Sequence, residues 1–197
     1  MSLGRLVAAF VGLFIFIVIL IMLFSGGGKK PVITGVQLKP LPDYAETNAT
    51  VSFTTQGIVN GDEMHRAIRI TVSANQRQLD VLQGYNPRVI SSKTFVNNQE
   101  AYSVFLKSIN NYGFLAKAKN PKVGADPAGY CPLGFRYVYD LSQDGADLSH
   151  LWSSNCGKAI GTSNASTSNV STLFQRQIPD YSTLVSKVNL SATTISQ

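Results

Sequence analysis

The sequence predicts an α+β fold, in which an antiparallel sheet of about five to seven strands packs against one long helix and a bent C-terminal helix, after an N-terminal transmembrane helix. Three observations predict it. Short runs between residues 49 and 96 alternate apolar and polar residues with the period of half-buried strands. A 3.6-residue stripe of large apolar side chains then occupies 98–112. Beyond it, two alternating runs flank Asp144-Gly145, a dipeptide that favours a tight hairpin turn.

The chain has 197 residues, enough for one domain with its own core, and only 14% of them are charged. Residues 1–5 form a short tail. Leu6 to Phe24 is an uncharged apolar run, LVAAFVGLFIFIVILIMLF. As a helix it spans roughly 28 Å, close to the hydrocarbon thickness of a bilayer. It has no polar face, which argues against a core helix, and it exceeds the apolar length of a usual cleaved signal peptide. The expectation is an uncleaved signal anchor over 6–24. A flexible SGGGKKP linker over 25–31 follows, then one domain over 32–190 and a frayed tail over 191–197.

Arg5 precedes the apolar run and Lys29 and Lys30 follow it, a balance that mildly favours a cytoplasmic domain. Three features point outward instead. Two cysteines are placed to pair, Asn48, Asn164, Asn169 and Asn189 begin Asn-x-Ser/Thr sequons, and the C-terminal third is poor in charge. The expectation is therefore a single-pass protein of the cell membrane with its domain outside the cytoplasm. The formal net charge of +6 suits anionic surfaces as well as plain solubility.

Within the domain, 32–39 alternates weakly and predicts a strand. PLPDYAETN over 40–48 has turn chemistry. Strands follow over 49–57, 67–73, 77–84 and 88–96, the second and third forming a hairpin. Asn97 and Glu100 resemble a capping box, Tyr102, Phe105, Leu106, Ile109 and Tyr112 form the helix stripe, and Gly113 suits a left-handed C-cap. The segment 115–129 carries Lys117, Lys119 and Lys122 with two prolines and two glycines, which predicts an exposed basic loop. Residues 135–142 place Phe135, Tyr137, Tyr139 and Leu141 on one face, and 147–154 place Leu148, His150 and Trp152 on one face. The aromatics of the 135–141 strand, with Trp152, Phe105 and Tyr102, are expected in the core. Residues 161–172 predict a polar loop. Residues 173–188 predict one bent helix or two short ones, interrupted at Pro179.

A turn at Asp144-Gly145 puts residue 135 opposite about residue 154, so Cys131 and Cys156 meet at the open end of the hairpin. Two cysteines without a third give the simplest disulfide arithmetic. The rival reading makes Cys156 the nucleophile of a transpeptidase-like envelope enzyme, with His65 or His150 and Arg176 as partners. Six strand residues separate His150 from Cys156, about 20 Å. SSNCG also lacks the Thr-Leu-x-Thr-Cys pattern of sortases and inverts the Gly-Cys order of L,D-transpeptidases. No spacing of cysteines and histidines suggests zinc, and no phosphate-binding or Gly-x-Ser-x-Gly motif occurs. Asp140, Asp144 and Asp147 lack the spacing of a calcium loop and are expected as turn formers and solvated charges. His150 is expected to pack beside Trp152, and His65, near Asp62 and Glu63, to be exposed.

HRAIRITVSANQRQLDVLQGYN, NNQEAYSVFLKSINNYGF, CPLGFRYVYDL, LWSSNCG and LFQRQIPDYSTLV together resemble a family of short, single-pass, membrane-anchored proteins of reduced-genome bacteria. That family has no assigned activity. The resemblance implies a bacterial envelope location, in which case the sequons are coincidental, and it transfers no site residue. The expected function is a membrane-anchored binding or structural module of the envelope, facing a protein or an anionic wall polymer. Besides the cysteine enzyme, the other alternative is a binder of anionic polymer or nucleic acid through Lys117, Lys119 and Lys122. No cofactor, metal or small-molecule ligand is predicted.

Overall fold

The computed structural model describes residues 38–157 and 160–191. The expected anchor and linker, strand residues 32–37 and tail residues 192–197 lie outside the described residues. Among those described, no helix is long and apolar enough to cross a membrane.

Six strands form one antiparallel sheet: β1 (Ala49–Gln56), β2 (Arg66–Val72), β3 (Gln76–Gln83), β4 (Arg88–Val96), β5 (Arg136–Gln143) and β6 (Ala146–Ser154). Their spatial order is β4-β3-β2-β1-β5-β6. The first four strands run as a meander, and the β5–β6 hairpin joins it along β1. Leu38 and Lys39 are not in a strand, and Leu41–Tyr44 forms a 3-10 turn in the region of turn chemistry.

Strand alternation puts Val51, Phe53, Ile68, Ile70, Val72, Leu79, Tyr139 and Leu141 on one face of the sheet, where all are buried. Helix α1 (Gln99–Asn111) covers this face with Tyr102, Phe105, Leu106 and Ile109. Its N-cap is Asn98, whose side chain accepts the Ala101 N–H, and not Asn97, whose Nδ2 donates to Ser73 O at 2.7 Å. The helix ends in a Schellman motif. The Phe114 N–H reaches Ile109 O, the Gly113 N–H reaches Asn110 O, and Gly113 has φ +74°.

Helix α2 (Thr167–Gln175) and the five-residue α3 (Tyr181–Val185) complete the cover, with the chain breaking between them around Pro179. Helix α2 begins inside the segment expected as a polar loop. TSNVST is polar in composition, but Val170 and Phe174 sit one turn apart and both are fully buried. The Tyr139 hydroxyl lies 2.9 Å from Ser153 Oγ and 2.8 Å from Thr167 Oγ1, which ties both strands of the hairpin to the start of α2.

The hairpin turns at Asp144-Gly145, with φ +51° and +83°, as a two-residue loop of that handedness requires. A bulge at Leu148 shifts the register by one residue, so Arg136 rather than Phe135 opposes Ser154. The bulge also separates Leu148, which packs on the helix-side core, from His150 and Trp152, which face the other side. Trp152 is buried, but not in the helix-side core. The 115–134 segment covers Trp152 on the second face of the sheet: Nε1 of Trp152 donates to Gly124 O at 2.9 Å, and Tyr130 packs on its ring.

Candidate functional site

Cys131 and Cys156 form a disulfide at the open end of the β5–β6 hairpin, with Cα atoms 5.5 Å apart. The Phe135 N–H donates to Asn155 Oδ1 at 2.7 Å, and the Asn155 N–H returns to Phe135 O, so the ribbon is closed just above the bridge. Gly134 packs against the bridge itself. A Cβ there would stand 2.7 Å from Cys131 Sγ and 2.9 Å from Cys156 Sγ. Pro132 O accepts the Val59 N–H, joining the disulfide loop to the end of β1. Leu133 projects from this loop with 88% of its surface exposed.

The same end of the sheet holds Arg136, which is buried. Nη2 donates to Gly57 O at 2.5 Å and Nη1 to Tyr130 O at 3.5 Å, while Nε makes no hydrogen bond among the described residues. Its partners are backbone carbonyls and not a carboxylate. The guanidinium therefore clasps the end of β1 to the loop that precedes β5. Burial lowers its pKa from the ordinary arginine value.

His65 is buried rather than exposed. Its ring stacks on Tyr85 with centroids 4.2 Å apart, and Nδ1–H donates to Ile58 O at 3.2 Å. Burial depresses its pKa below 6.5, helped by the charges of Arg136 and Arg66 and opposed by the Ile58 hydrogen bond and Asp62. His150 goes the other way. It lies beside Trp152 on the same face but is exposed, and Nδ1 stands 2.6 Å from Asp140 Oδ1 across the strand pair. That hydrogen bond raises its pKa above 6.5 against partial burial, with Asp140, Asp147 and Asp126 adding charge. Ser52 Oγ donates to the other Asp140 oxygen at 3.3 Å. Asp140 is thus a hydrogen-bonded partner and not a free solvated charge. The order is Ser–Asp–His, so the serine hydroxyl does not face the imidazole and no proton relay from serine to histidine is set up.

The two histidines give opposite pH dependences. The His65 contribution is fully present above pH 6.5 and is lost as pH falls toward its depressed folded value, because the unfolded chain then binds the extra proton. The His150 contribution is fully present below pH 6.5 and is lost as pH rises through its elevated folded value. His65→Phe keeps an aromatic ring on Tyr85. It is expected to flatten the fall in stability between about pH 6.5 and pH 5 without altering the alkaline side. Urea unfolding of both proteins across that range measures it, and an unchanged acid slope would contradict the assignment.

The cysteine-enzyme constellation is not brought together. Both sulfurs are in the disulfide, the hydrogen bonds of His65 and His150 go to Ile58 and Asp140, and Arg176 caps the C-terminus of α2. Lys117, Lys119 and Lys122 are exposed, and none is in an ion pair among the described residues. The loop is pinned through Ala118 N–H to Thr162 O and a bridge between Lys117 and Ser163. The second ion pair among the described residues joins Arg69 to the buried Asp80 at 2.8 Å. Burial pushes the Asp80 carboxyl up, but hydrogen bonds from Gln78, Arg69 and Ser92 outweigh it and hold the pKa below the usual value. Sequence reasoning missed the buried Arg136 and the Asp140–His150 pair. The second left no signal in the turn count, because an unbulged hairpin would place Asp140 opposite Ser149 and the bulge at Leu148 is what brings His150 there.

No family model, no curated protein and no solved structure matches this chain. Its chemistry is read from its own residues.

Proposed function

We propose that this chain is a membrane-anchored, extracytoplasmic binding or structural module of a cell envelope. One observation carries the reading: the Cys131–Cys156 disulfide, a bond that persists in oxidising compartments and is rare in the cytosol. The apolar run over 6–24 supports it by its length and lack of charge. The module works by presenting a stapled surface and not by a chemical step. Its contact with an anionic wall polymer runs through Lys117, Lys119 and Lys122, which are exposed and make no ion pair among the described residues.

The test is labelling of intact cells carrying the full chain with a membrane-impermeant maleimide, with and without prior reduction. Labelling that appears only after reduction is the expected result. Labelling without reduction would put a free thiol outside and favour the transpeptidase-like alternative at Cys156. Labelling that requires lysis would place the domain in the cytoplasm and overturn the envelope reading.

A further inference from the structure

A polar cleft of about 530 Å³ opens where β1 begins, between the β2–β3 turn and the N-terminus of α1. Its size falls in the range of about 300–1,000 Å³ usual for small-ligand sites. Five side-chain amides line it, from Asn48, Asn75, Asn97, Asn98 and Gln99, and the remaining lining residues are Ser, Thr and Ala. No charged or aromatic side chain contributes.

Each amide has one half engaged by the protein. Asn48 Nδ2 donates to Asp144 Oδ1 at 3.1 Å, and Asn97 Nδ2 donates to Ser73 O. Gln99 Nε2 donates to Ala45 O. Asn75 Oδ1 accepts from Ser73 Oγ at 3.0 Å, and Asn98 Oδ1 accepts the Ala101 N–H at 2.9 Å. Backbone and carboxylate partners assign which end is oxygen and which is nitrogen in Asn48, Asn97, Asn98 and Gln99, and Asn75 is placed with its oxygen toward the Ser73 hydroxyl. The other halves make no hydrogen bond among the described residues. The cleft therefore presents three held acceptors, from Asn48, Asn97 and Gln99, and two held donors, from Asn75 and Asn98.

The geometry points to a binding site for a neutral saccharide. Held donors and acceptors side by side match groups that both donate and accept, and a hydroxyl does both. A charged ligand finds no counter-charge in the lining, so it would lose hydration without return. An extended peptide would favour acceptors and donors spaced along a strand edge, whereas these five come from two loops and the start of α1. Without an aromatic platform the affinity is weak, in the millimolar range. The inference stands on the cleft alone and is independent of where the chain resides.

The test is saturation-transfer NMR of the full chain in detergent, using N,N′-diacetylchitobiose, cellotriose, glucuronic acid and a blocked alanine tripeptide. Transfer to one or both neutral saccharides, and less to the other two probes, is expected. The double variant Asn75→Asp/Asn98→Asp keeps both internal acceptors and the helix cap while removing the two donors. It should unfold at the same temperature and bind about tenfold more weakly. Overturning results are no transfer to either neutral saccharide, equal transfer to the tripeptide or to glucuronic acid, or undiminished transfer in the double variant.

Discussion

Phe174→Ala is expected to destabilise the domain by about 3–5 kcal/mol, the usual range for deleting a buried aromatic. Phe174 is fully buried on α2, and its ring centroid lies 5.0 Å from that of Phe105, 5.5 Å from Phe53 and 5.7 Å from Phe114. It is thus where the second helix, the first helix and the central strand meet. Helix α2 has few other anchors, because Val170 is the one further residue of it that is fully buried. Loss of the ring removes both transfer energy and aromatic contacts, one edge-to-face with Phe105 and two stacked with Phe53 and Phe114, and the polar remainder of the helix cannot collapse into the gap. Urea denaturation with a common slope measures the effect. Phe174→Leu should recover more than half of it, and a loss below about 1 kcal/mol for the alanine variant would show that α2 is not held through this ring.

The second large effect concerns the bridge. Cys131→Ala/Cys156→Ala, or reduction of the native protein, is expected to cost about 3 kcal/mol in the chain-entropy account for a sequence separation of 25. The local consequence is more specific than the global one. The bridge anchors one end of the segment that covers Trp152, through Gly124 and Tyr130. Trp152 is the sole tryptophan of the chain, so its fluorescence reports that cover directly. Emission should move to longer wavelength on reduction while the far-ultraviolet dichroism of the sheet persists. A native emission spectrum in the reduced protein would mean that the loop holds itself in place without the bridge.

Much of this fold was legible because it follows from periods. Alternation marked β1 to β6 to within about two residues, the normal uncertainty of strand ends. The stripe from Tyr102 to Ile109 marked α1. The disulfide followed from turn chemistry, since a tight turn at Asp144-Gly145 makes distant residues neighbours by counting outward. What stayed hidden depended on partners that counting does not reach. His65 looked exposed among Asp62 and Glu63, and it is buried by Tyr85, which arrives from the β3–β4 turn. A single bulged residue, Leu148, reversed the facing of its own neighbours. Helix α2 was masked by its small polar residues, because two buried side chains are too few to set a visible period. The N-cap moved by one position because Asn97 and Asn98 are chemically equivalent, and their surroundings alone decide between them.

The strand order carries a kinetic meaning. The meander β1–β4 closes through short turns, and so does the β5–β6 hairpin. The two pieces meet only along β1 and β5, where Gln56 pairs with Arg136 across about 80 residues of chain. Closing a loop of that length costs about 4 kcal/mol of entropy before any pairing energy returns. The domain is therefore expected to assemble as two locally folded pieces with one late seam. Substitutions within the early-formed pieces are therefore expected to slow folding, whereas those along the late seam mainly speed unfolding. The lifetime of the folded sheet is thus set at its middle, where the two pieces join.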